Sequence, residues 1–207
     1  MSFTRIRRAA ALVAAVAILA VASQAIVRPA DAAKEKKKSP AAAEEVKPKK
    51  APPADATTSA AKELGTVDGW TAYEARDKTG RVCYVYGEPK KSEPSGAKRK
   101  QPMMMVTHRP EEKIANVVSV MEGYTLKDGS NVALNVGKTK FELFSKDDSA
   151  WARTSELDKT IVTAMAKAKQ VVVKGDPAKG PATIDTYPLA GFPKALAMID
   201  KACGVKR

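Results

Sequence analysis

Aromatic side chains, cysteine and histidine are scarce in this chain, and their placement restricts what the chain can be. There are two cysteines, one histidine, two tryptophans, five tyrosines and four phenylalanines in 207 residues. The first 63 residues contain no tryptophan, tyrosine or cysteine and a single phenylalanine, Phe3, so they cannot build a packed core. One histidine and two cysteines are too few for a tetrahedral zinc site. No Gly-x-Ser-x-Gly motif occurs, and a lone histidine leaves nucleophilic catalysis without an oriented base. That histidine lies in His108-Arg109-Pro110 at a strand end and is expected at the surface. The residues point to no catalytic, cofactor or metal site.

Positive charge is what the chain has in excess. The net charge is +13, distributed as +3 over residues 1–32 (four Arg, one Asp), +3 over 33–63 (eight Lys, five acids) and +7 over the rest (24 basic, 17 acidic). A spread of this kind favours anionic surfaces such as lipid headgroups, lipopolysaccharide or cell-wall polymers, and says nothing of fold. Nucleic acid is not expected as a partner, because the chain begins with an export signal.

Residues 1–32 have the three parts of a signal peptide. Arg5, Arg7 and Arg8 form a basic head, Ala9 to Ala22 is an unbroken apolar run, and small residues at −3 and −1 allow cleavage after Ala25 or Ala32. The alternative is an uncleaved anchor, since residues 9–27 are uncharged and just long enough to span a bilayer. Weak membrane affinity of alanine and two good cleavage sites favour removal, leaving no transmembrane domain in the mature chain. Residues 33–63, Lys-, Ala-, Pro- and Glu-rich, read as a disordered linker that cannot repay its ordering entropy. It is expected to act as a spacer or to make loose contact with an anionic envelope surface.

Residues 64–207 form the folded domain. Short apolar runs separated by turn residues every eight to twelve positions are the pattern of an all-β fold. Trp70 to Ala75 and Arg81 to Tyr86 flank the turn Asp77-Lys78-Thr79-Gly80, and both faces of the second run are apolar, as in a central strand. Further strands are expected at Met103–His108, Ile114–Met121, around Val132 to Val136, at Lys140–Ser145, near Trp151, at Gln170–Lys174 and at Ile184–Leu189. Two helices interrupt this pattern. Ser155 with Asp158 has capping-box spacing ahead of Leu157, Ile161, Met165 and Ala168, and Pro193 starts a final helix that Gly204 stops. Leu196, Ile199 and Cys203 share that helix's buried face, which puts Cys203 where it can meet Cys83 of the second strand. In an exported chain two such cysteines suggest one disulfide; two separately buried thiols are the alternative.

These residues resemble the invasion-associated locus B family of bacterial envelope proteins. The resemblance spans roughly Gly69 to Cys203. It rests on Trp70 with Cys83-Tyr84-Val85, on Trp151 with the Met165 helix, and most specifically on Asp185-Thr186-Tyr187-Pro188-Leu189-Ala190-Gly191-Phe192 with Ala195-Leu196 and Cys203. Many members have Ser where Pro188 stands. The resemblance implies an exported, immunoglobulin-like antiparallel β-sandwich resident in the periplasm or outer envelope. The family is associated with host-cell invasion and has no agreed enzymatic activity.

Three other clusters carry side chains of chemical interest. Met103-Met104-Met105 near His108 has the softness for Cu(I), but strand alternation turns Met104 away from its neighbours, and core filling explains all three. Asp147-Asp148 and Glu111-Glu112 read as solvated turn formers. The loop from Gly87 to Pro102 carries Lys90, Lys91, Lys98, Arg99 and Lys100, and it is the best candidate binding surface. The function expected is a non-enzymatic envelope interaction protein, periplasmic or secreted and in contact with an anionic envelope surface or an envelope protein. The alternative is a periplasmic enzyme or inhibitor whose site the motifs do not reveal.

Overall fold

A computed structural model describes residues 61–207. The expected signal peptide and nearly all of the expected linker lie outside the described residues. The fold is mainly β and antiparallel, sandwich-like, with two short helices, the last at the C-terminal end.

The strands are β1 (Lys62–Val67), β2 (Trp70–Asp77), β3 (Gly80–Gly87), β4 (Lys91–Glu93), β5 (Met103–Arg109), β6 (Ile114–Met121), β7 (Asn131–Val136), β8 (Thr139–Lys146), β9 (Ser149–Trp151), β10 (Gln170–Gly175) and β11 (Thr183–Pro188); helix α1 spans Ser155–Met165 and α2 spans Phe192–Cys203. They hydrogen-bond in one ladder in the order β1-β2-β3-β5-β6-β9-β8-β7-β10-β11-β4. The three-residue strand β9 joins the two layers, pairing with β6 on one side and β8 on the other. The ladder curls until its halves meet: the Trp70 indole Nε1 on β2 donates to the Pro188 carbonyl on β11 at 2.7 Å.

Register explains the core. Trp70, Ala72, Val85, Met104, Val106, Val118 and Val120 share one face of the first half, and Leu143, Val132, Leu134, Val171, Val173 and Tyr187 share the matching face of the second. All are buried in a single cluster. On β2, β7 and β11 these residues alternate with less buried ones, as a pleated strand requires, whereas Val117 and Ser119 beside Val118 and Thr107 beside Val106 are buried as well. Helix α2 closes one end through Phe192, Ala195, Leu196 and Ile199, with Phe192 edge-on to Trp70 at 5.0 Å between ring centres.

Three elements differ from the sequence reading. Strand β1 begins at Lys62, inside the stretch read as linker, because its backbone pairs with β2 although none of its residues is fully buried. Strand β4 lies within the stretch read as a loop and pairs with β11. The cap of α1 is Thr154 rather than Ser155, with Thr154 Oγ1 accepting from the Leu157 amide, and Asp158 instead turns inward to accept from the Val118 amide at 2.8 Å. A carboxylate in the first helical turn is also placed well for the helix dipole.

Candidate functional site

Two groups of buried polar side chains lie at different places on the curled ladder. The first is where α2 crosses β3 and β5. Cys83 and Cys203 are disulfide-bonded there, with 6.0 Å between their α-carbons. His108 is paired with Cys83 in register and is fully buried, against the expectation of a surface residue. The inward phase of β5 carries it under α2. The Asn116 amide donates to His108 Nδ1 at 3.0 Å, which places the ring hydrogen on Nε2, 2.9 Å from Asp200 Oδ1. Arg207 holds the other side of Asp200 and also reaches Asn116. Burial opposes the charge on Asp200, but hydrogen bonds from His108 and Arg207 outweigh it and hold the carboxyl below the ordinary aspartate range. Among the described residues, both ring nitrogens of His108 and both carboxylate oxygens of Asp200 have hydrogen-bond partners, and none of the partners of His108 is a hydroxyl or a thiol. This corner is a structural joint.

The second group lies beneath the basic loop. Of the five loop residues, Lys90, Lys91, Lys98 and Lys100 are exposed, and Lys91 pairs with Glu93 at the surface. The Arg99 side chain is 5% exposed and points inward, so it roots the loop instead of extending the basic surface. Its guanidinium makes a two-pronged contact with both carboxylate oxygens of Asp185 on β11. One arm also donates to the Glu122 carbonyl at 3.1 Å and stands 3.4 Å from Glu122 Oε2. The Tyr124 ring lies 5.6 Å from the guanidinium carbon. Ser92 on β4 donates to Asp185 at 2.6 Å.

Glu122 is the unusual member. It is fully buried, and Oε2 collects all its contacts: the Tyr124 hydroxyl at 3.1 Å, the Thr183 hydroxyl at 3.5 Å and Arg99. Oε1 is buried with no hydrogen-bond partner, as is the Tyr187 hydroxyl. Burial, followed by the negative charge of Asp185, pushes the Glu122 carboxyl up to about 7. Burial likewise pushes the Tyr124 and Tyr187 phenols up. On Arg99 burial works against the cation, but the hydrogen bonds to Asp185 prevail and raise its pKa. The backbone is shaped around the group. A side chain at Gly175 would strike the Tyr124 hydroxyl and the Glu122 carboxyl. Gly123, with φ of 76°, lies against the Lys100 backbone, whose amide donates to the Gly123 carbonyl.

Glu122, Asp185, Tyr124 and Thr183 escaped the sequence reading of the site. A signal was present: Glu122 continues the inward phase of Val118 and Val120, and Asp185 lies between Thr183 and Tyr187 on the inward phase of β11. An acid in an apolar phase needs a buried cation, whereas the sequence pattern places Arg99 with the surface lysines of its loop. Among the described residues no cluster of three or more His, Cys, Asp or Glu could hold a metal ion, and no helix is long and apolar enough to cross a membrane.

The chain matches the family described as invasion associated locus B (IalB) protein over residues 70–200, more than half its length. It belongs to the IalB family. The matched region holds the whole Arg99–Glu122–Asp185 group, together with Cys83, and stops before Cys203. Among solved structures the chain is similar to the crystal structure of invasion associated protein b from Bartonella henselae, at 19% identity and a TM-score of 0.49, covering 70% of this chain and 98% of that one. No curated protein matches it.

Proposed function

We propose that this IalB-family chain is an exported, non-enzymatic interaction protein of the cell envelope. In this reading residues 1–32 are removed on export, residues 33–63 are a linker, and residues 64–207 work in the periplasm or on the outer membrane, with a role in envelope integrity or contact with a host cell. The observation that carries the reading is the Cys83–Cys203 disulfide, a bond that persists in oxidising compartments and is rare in the cytoplasm. The interaction surface is the loop bearing Lys90, Lys91, Lys98 and Lys100, which is displayed outward while Arg99 fixes its root. Its partner is an anionic envelope surface or an envelope protein.

Fractionation of cells with alkylation of free thiols tests the compartment: the mature chain is expected in the periplasmic or membrane fraction with both cysteines protected. Recovery in the cytosol with free thiols would overturn the proposal. Cross-linking in intact cells through the loop lysines tests the role, with envelope molecules as the expected captures and their loss on replacing all four lysines by glutamine.

A further inference from the structure

The buried group under the loop has a charge imbalance that the fold does not resolve. Among the described residues two carboxylates, Glu122 and Asp185, face a single cation, Arg99. The groups that touch these acids are otherwise neutral: Tyr124 from the β6–β7 connection and Thr183 from β11 at Glu122, and Ser92 from β4 at Asp185; beside them is the Tyr187 phenol of β11, which also feels the charge of the exposed Glu88. From β10 the neighbour is Gly175, with no side chain. With both acids ionised the interior holds one net negative charge, and Glu122 Oε1 has no donor to receive it. With a proton on Glu122 the group is neutral, Asp185 keeps its two-pronged arginine, and Oε2 keeps its donors.

We infer that Glu122, Arg99 and Asp185 form a proton-operated latch that holds the 88–102 segment against the sheet while Glu122 is protonated and loosens it when the proton leaves. The latch has an identifiable moving part. Arg99 and Ser92 come from the 88–102 segment, Lys90 donates its amide to the Thr186 carbonyl and Lys100 donates to Gly123. Moving this segment outward admits water to the carboxylate, the least costly way to accommodate a buried charge. Burial together with Asp185 places the changeover near neutral pH. The device regulates the proposed binding loop, but it stands or falls independently of what that loop binds.

Amide hydrogen exchange on the full chain at pH 6 and pH 8, corrected for the intrinsic rate, reads the latch directly. Amides of residues 88–102 are expected to open about tenfold more at pH 8, by proton linkage between a carboxyl near 7 when closed and near 4.5 when open. Strands β3 and β7 serve as the global reference, and the Glu122→Gln variant is expected to show no such rise. Equal protection at both pH values in the native chain, or the same rise in Glu122→Gln, overturns the latch. Should that variant not fold, the Glu122 carboxyl carbon shift in the native chain decides: a midpoint near neutrality supports the latch and one near 4.5 overturns it. Sedimentation with phosphatidylglycerol vesicles tests the binding reading separately. Absence of vesicle binding with a working latch removes the lipid surface as the loop's partner, whereas binding with flat exchange removes only the latch.

Discussion

The two buried polar corners use similar residue types for opposite ends. At the α2 corner a carboxylate, an imidazole and an arginine are matched, and a disulfide joins the elements that carry them. At the loop corner two carboxylates compete for one arginine, and two buried oxygens have no partner. Both corners set carboxylates against an arginine, so the difference is one of stoichiometry. A matched set makes a joint; a mismatched one keeps a group that can titrate.

Breaking the covalent joint is the largest test of this contrast. The Cys83→Ser, Cys203→Ser double variant is expected to lose up to about 5 kcal/mol by the chain-entropy estimate for a separation of 120 residues, read as a fall in the denaturation midpoint. Next is Arg99→Met, which leaves two carboxylates buried without a cation and is expected to cost about 3–5 kcal/mol at pH 8. That cost should shrink on acidification as Glu122 takes a proton, and a pH-independent cost would erase the distinction between the corners.

The pH profile of stability sharpens the comparison further. Glu122 has a raised folded-state pKa, so the folded chain keeps a proton that the unfolded chain has released between about 4.5 and 7. Stability is expected to fall across that window by up to about 3 kcal/mol and to level off above it. Asp200 has a lowered folded-state pKa, so its contribution is complete above the ordinary aspartate value and is lost as pH falls through the folded one. Opposite slopes give a maximum in mildly acid solution, and Glu122→Gln should remove the loss on the neutral side alone. The smallest effect is expected for His108→Ala, about 2 kcal/mol, because Asp200 keeps Arg207. Urea denaturation at several pH values measures all of these.

Much of the framework was legible in the sequence because alternation and turn chemistry are local. The β2–β3 hairpin, the phase of Val132, Leu134 and Val136, and the buried stripe of α2 ending at Cys203 all follow from spacing. Pairing between distant strands was not legible, so the bridging role of β9 and the edge strands β1 and β4 emerged only from the structure. The candidate site was hidden for a different reason. Polarity alone suggests solvent, and His108, Arg99 and Glu122 each reach the interior because a partner from a remote segment meets them there. Phase along the strand gave a hint for His108 and Glu122, whereas Arg99 lies outside the strands and gave none.

The position of the bridge along the chain has a consequence for biogenesis. Cys83 emerges 120 residues ahead of its partner in helix α2 during synthesis. For most of that interval the first thiol has no correct mate within its own molecule. Until Cys203 arrives, oxidation of Cys83 leads to a covalently linked pair of chains or to a mixed adduct with a small thiol.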